Sequence, residues 1–149
     1  VGFDEVLSVV KSGDFDAGII IHEGQITHQK EGFKLLLDLG QWWWEEYALS
    51  LPLGVNIIKK DLGDEAIKIS KQALFDTIKY SLDHRDAAIE YALTYGRGIS
   101  TEEADTFVGM YVNELTLDIG EPGKKSIKLF LEKGVEYGFI PDEIEVEFR

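Results

Sequence analysis

Seven consecutive residues, Asp16-Ala17-Gly18-Ile19-Ile20-Ile21-His22, constrain the fold of this chain more than any others. Successive side chains of a strand point to opposite faces. Here Ala17, Ile19 and Ile21 fall on one face, and Gly18, Ile20 and His22 on the other. Both faces are apolar until His22. A strand of that kind suits a parallel sheet covered on both sides, and therefore an α/β fold. Phe33–Leu39, ended by Gly40, is a second strand candidate. Val55–Lys59, reached through the turn Leu51-Pro52-Leu53-Gly54, is a short third.

The rest of the chain has helical texture. A short helix is expected over residues 3–12, with Phe3, Val6, Leu7 and Val10 on one face and Gly13 as its stop. Another follows from Trp42 to Leu49, with Asp38 as the preferred cap of its N-terminus. Asp64–Leu82 places Ile67, Leu74, Phe75, Ile78 and Leu82 together. Asp86–Tyr95 does the same for Ala88, Tyr91, Ala92 and Tyr95. Ser100 and Glu103 form a capping box that opens a helix with Ala104, Phe107, Val108, Tyr111 and Leu115 on its inner face. A last helix begins near Pro122 and is expected to bury Ile127, Phe130, Leu131 and Val135. Gly96-Arg97-Gly98 reads as a helix stop and loop. The order is α/β first and helices afterwards, so the helices either bundle together or cover a sheet supplied elsewhere. The chain enters a helical pattern directly after Val1-Gly2-Phe3, without Met, which favours a truncated sequence and the second option.

Composition narrows the function. With 44% hydrophobic and 29% charged residues, the chain is globular rather than disordered. Its net charge of −13 supplies no basic cluster to displace counterions from nucleic acid, and disfavours anionic membranes. No cysteine is present, so thiolate ligands and a cysteine nucleophile are excluded.

His22 is the foremost candidate for chemistry. It stands at the C-terminal end of the expected buried strand, where open α/β sheets place ligands, and imidazole transfers protons near neutral pH. A purely structural histidine at a strand end is the competing reading. Glu23 points to the other side if the strand continues, or turns back to orient the ring. His22 and His28 are six apart with Gly24 between, which does not fit a helical zinc pair; His28 and His84 read as surface or loop residues. Trp42, Trp43 and Trp44 sweep about 200° on a helix, wider than one core-facing stripe. Either two pack inward and one lies on the surface, or one faces a cleft.

Taken together and in order, these motifs resemble the 1,4-dihydroxy-6-naphthoate synthases. Asp16-Ala17-Gly18-Ile19-Ile20-Ile21-His22-Glu23 looks like the hallmark segment of that family. Asp38-Leu39-Gly40-Gln41-Trp42-Trp43 and Leu51-Pro52-Leu53-Gly54 follow at the expected spacings, and Tyr111-Val112-Asn113 with Leu117-Asp118-Ile119-Gly120-Glu121 resembles its C-terminal signature. The resemblance implies the two-lobed fold of type 2 periplasmic binding proteins, with the active site between lobes. Residues 1–54 would belong to the second lobe, and 55–149 would hold the crossover strand and the helices completing the first. Roughly 40–50% of the enzyme, its N-terminal half, would then lie outside this chain and be its partner. The implied reaction is a lyase step of the futalosine route to menaquinone. It turns cyclic dehypoxanthinyl futalosine into 1,4-dihydroxy-6-naphthoate and a dihydroxyacetone product, in the cytoplasm, without metal or organic cofactor. His22 takes the position of the family's catalytic base, and Glu23, Trp42, Trp43, Leu53 and Gly54 are expected beside the substrate, a small molecule. The resemblance also admits a homodimer.

Two relatives of the fold compete. Chorismate dehydratases typically carry Gly-Asp where His22-Glu23 stand, which favours the naphthoate synthase. A solute-binding protein for a small ligand would need no base at His22. A free-standing helical interaction module is the reading furthest from the α/β pattern.

Overall fold

The computed structural model describes residues 1–95, 98–142 and 144–149, so the expected stop at Gly96-Arg97 lies outside the described residues. In chain order its elements are α1 (Val6–Ser12), α2 (Gly24–Thr27), α3 (Leu39–Tyr47), a 3₁₀ turn (Lys60–Leu62), α4 (Asp64–Asp83), α5 (Arg85–Leu93), α6 (Thr101–Tyr111), α7 (Glu114–Leu117) and α8 (Gly120–Glu136). Their ends follow the sequence closely. Gly13 closes α1 in the left-handed region at φ 86°. The Asp38 carboxylate accepts the Gln41 N–H at 2.9 Å and caps α3. At the start of α6 the Glu103 N–H donates to the Ser100 hydroxyl and the Ser100 N–H donates to the Glu103 carboxylate. Pro122 sits in the first turn of α8. None of the described helices is long and apolar enough to cross a membrane.

The strands are where expectation and structure part. Residues 16–22, 33–39 and 55–59 form no ladder, and Leu39 instead opens α3, so the α/β pattern is not realised among the described residues. A strand needs a neighbour for its backbone N–H and C=O groups, and these segments have none here. Their side chains remain uncovered: Ile19, Ile21, Leu36 and Ile57 are more than 60% exposed.

Two helices also differ in detail. On α5 the buried residue is Ile89, whereas Tyr91 and, past the helix end, Tyr95 of the expected inner stripe are largely exposed. The expected α6 stripe does not reach Leu115, because Asn113 interrupts the helix and caps α7 with Thr116 in a reciprocal pair of bonds. A residue with a short polar side chain competes well for an N-cap and poorly for a helix interior.

The described residues fall into two compact units, Val1–Leu36 with Asp86–Met110, and Leu37–Arg85 with Tyr111–Arg149. The division differs from the expected one at residue 54, since residues 37–54 group with the later helices. In the first unit the chain leading to His22 runs close against α1. A Cβ on Gly18 would lie 2.3 Å from Val6 Cγ1, so only glycine fits there. Ile89 and Ala104 are its buried apolar side chains, and Lys30 pairs with Glu103.

The second unit is built round Trp43, Leu49 and Ile67. Trp43 meets Phe130 of α8 edge-on at 5.6 Å. Its indole N–H donates to the Ser126 hydroxyl at 3.0 Å, and that hydroxyl donates to the Ser50 carbonyl at 2.7 Å. Ser126, rather than the expected Ile127 or Phe130, is thus the most buried residue of α8.

Candidate functional site

His22 ends the irregular segment after Ile21, and the chain turns immediately into α2 through Glu23 and Gly24. The Gly24 N–H donates to His22 Nδ1 at 3.0 Å. An imidazole nitrogen that accepts a hydrogen bond carries the lone pair, so the neutral ring bears its proton on Nε2. That Nε2 is buried and has no hydrogen-bond partner. The side chain as a whole is 11% exposed. Gly24 is itself buried, and a Cβ there would stand 2.7 Å from His22 Cε1 and 3.0 Å from Leu7 Cδ1. The ring is therefore held between a backbone amide and its apolar surroundings, with the Phe3 ring 6.0 Å away and tilted by 59°.

The Glu23 carboxylate lies on the same side of the turn, with Oε2 3.8 Å from His22 Nδ1. Both residues line an open pocket of about 370 Å³ within the first unit, together with Phe3, Leu93, Tyr95 and Phe107. The Tyr95 hydroxyl lies 3.1 Å from that of Tyr91. This hydrogen bond raises the Tyr95 phenol above its ordinary value. Apart from His22, Glu23 and Tyr95, the lining residues are apolar. Such a concave, mostly apolar space with a few directed polar groups is what a small organic ligand needs.

Of the residues expected at the site, the first unit brings His22 and Glu23 together. Trp42, Trp43, Leu53 and Gly54 belong to the second unit. Trp43 is 3% exposed with its N–H spent on Ser126, a packing role in the core of that unit. Trp42 and Trp44 are exposed, so one tryptophan of the three packs inward instead of two. Leu53 and Gly54 lie in an irregular, exposed stretch.

Sequence reasoning passed over Gly24, whose position directly after a His-Glu pair was the available signal. It also placed His28 on the surface, whereas His28 is half-buried. The His28 Nδ1–H donates to the Gln25 carbonyl at 2.9 Å, and its Nε2 is buried without a partner. Asp38 caps a helix, and His84 stacks on Tyr80 at 4.0 Å, both as expected. No group of three or more potential metal ligands occurs among the described residues.

The family model described as menaquinone biosynthesis matches residues 1–136, and the chain belongs to that family. A 1,4-dihydroxy-6-naphtoate synthase of Thermus thermophilus is 36% identical over 133 residues, covering 89% of this chain and 49% of the relative. A protein of the same name from Streptomyces coelicolor is 32% identical over 139 residues, covering 93% of this chain and 49% of the relative. The crystal structure of an Archaeoglobus fulgidus protein superposes with a TM-score of 0.90 at 39% identity, over 94% of this chain and 53% of that protein. The chain spans about half the length of the curated relatives it matches.

Proposed function

We propose that this chain is the C-terminal part of a 1,4-dihydroxy-6-naphthoate synthase. The enzyme is a cofactor-independent, cytoplasmic lyase that fragments cyclic dehypoxanthinyl futalosine into 1,4-dihydroxy-6-naphthoate and a dihydroxyacetone product. His22 is its general base: the imidazole takes a proton from the substrate and starts the carbon–carbon cleavage. The observation that carries this reading is a largely buried imidazole at a ligand-sized, mostly apolar cavity, with a carboxylate next to it. Closure of such a site over its substrate would exclude water from the reacting centre. The names of the relatives favour the lyase over a solute-binding protein, and His22-Glu23 favours it over a chorismate dehydratase.

The complete enzyme in this reading has the two-lobed, periplasmic-binding-protein-like fold, and its N-terminal half supplies the strands that pair with residues 16–22, 33–38 and 55–59. Uncovered Ile19, Leu36 and Ile57 support that arrangement. Trp42, Leu53 and Gly54 then border the cleft between lobes.

His22→Ala and His22→Asn in the full-length enzyme test the assignment. Both are expected to lower product formation by about 10²–10⁴-fold, the range for a lost acid–base residue, while binding of the naphthoate product and the thermal midpoint stay close to wild type. Near-normal turnover in either variant refutes it.

A further inference from the structure

His22 rests in the tautomer opposite to the one its proposed role demands. A base working from Nε2 needs the lone pair on that atom and the proton on Nδ1. In the structure the Gly24 amide donates to Nδ1, which forces the reverse. The ring therefore cannot take up a proton at Nε2 while that bond stands. Leaving the Nε2–H buried without an acceptor is also costly, on the order of 1–3 kcal/mol. The arrangement is therefore one that base catalysis from Nε2 has to change.

That change requires an acceptor for a proton on Nδ1. The Glu23 carboxylate is adjacent, its Oε2 3.8 Å from Nδ1. That is beyond hydrogen-bond distance, and a side-chain rotation of about 1 Å brings it within range. Glu23 and Tyr95 are the titratable groups that share the cavity lining with His22. Tyr95 is a phenol, neutral near pH 7, and does not compete for the role of anionic acceptor.

We propose that Glu23 is the positioning residue for His22: its carboxylate replaces the Gly24 amide at Nδ1 and so turns Nε2 into the basic nitrogen. The exchange releases the Nε2 proton to solvent and takes one from solvent at Nδ1, so the ring stays neutral and no charge is created. Glu23 afterwards faces the imidazolium formed when Nε2 accepts the substrate's proton, and stabilises it, as a carboxylate partner does in other histidine bases. The inference rests on the base role of His22 proposed above.

Selective ¹⁵N labelling of histidine in the full-length enzyme reads the tautomer directly. Wild type is expected to show Nε2–H when free and Nδ1–H when saturated with 1,4-dihydroxy-6-naphthoate. Glu23→Ala is expected to keep Nε2–H in both states and to lose about 10²-fold in kcat, with KM changed less than about threefold and Glu23→Asp recovering part of the loss. Wild type that keeps Nε2–H with the naphthoate bound overturns the inference without any variant, as does Glu23→Ala with kcat within twofold of wild type. If His22→Ala is inactive while either of these results is found, Glu23 loses its role and the assignment of His22 stands. An active His22→Ala instead removes the base reading itself.

Discussion

At the scale of single residues, the site is a matter of what lies against one ring. Gly24 performs two tasks for His22: its amide fixes the tautomer, and its missing side chain leaves room for the imidazole. Gly24→Ala puts a methyl 2.7 Å from His22 Cε1 and 3.0 Å from Leu7 Cδ1, so the ring has to leave its place. The expected result is a loss of at least about tenfold in kcat, since misplacing a reacting group by about 1 Å costs up to about 10²-fold. Unfolding midpoints should drop by no more than an overpacked site demands, about 1–3 kcal/mol. Steady-state kinetics beside thermal melts would separate the two, and unchanged kcat would mean that the ring tolerates displacement. His22 and its neighbour Glu23 were both candidates in the sequence, but the side to which Glu23 turns was left open. Gly24 was not a candidate, because nothing in a linear string says that a ring folds back over its second neighbour.

Single elements are held by their ends and by a few polar contacts. The start of α6 joins a capping box to a side-chain ion pair, for Lys30 binds the Glu103 carboxylate that also accepts the Ser100 amide. The lysine contact first, and the Ser100 amide next, keep the Glu103 carboxyl below its ordinary value of 4.5. A carboxyl whose value is depressed by folding contributes stability that is complete above its unfolded value and lost as pH falls through the folded one. Thermal midpoints should therefore decline on acidification below about pH 4.5, and Glu103→Gln should flatten that part of the profile. Scanning calorimetry from neutral to acid pH checks it; parallel profiles for the two proteins would count against the contact. Caps of this sort were readable in advance, Asp38 and Ser100 among them, because they depend on residues a few positions apart. The inner faces were less so. Ile89 rather than Tyr91 turns inward on α5, and Ser126 on α8 is buried because Trp43, far away in sequence, needs an acceptor for its indole N–H.

For the whole molecule, the dominant quantity is surface that nothing covers. It is apolar at Ile19, Leu35, Leu36, Leu37, Val55 and Ile57, all of them exposed. Contiguous uncovered apolar segments bind other surfaces or aggregate. The chain by itself is expected to unfold over a broad temperature range and to enhance the fluorescence of a hydrophobic dye. The full-length enzyme is expected to melt sharply and leave the dye dark. A single sharp transition without dye binding in the isolated chain would show that these segments need no covering.

The sequence by itself determined the helices, several of their caps and the family, and it singled out His22, since each depends on local periodicity, short-range hydrogen bonding or contiguous motifs. It also marked three runs as strands, and their apolar character was read correctly. Their pairing was not open to that reading, because a ladder depends on a second backbone alongside, and none of the described segments provides it. Only the tertiary structure decided which nitrogen of His22 carries the proton, that Trp43 belongs to a core, and that Gly24 lies beneath the imidazole. Those facts follow from contacts across a tight turn or between distant segments, where the placement of atoms in space, not residue type, sets the chemistry.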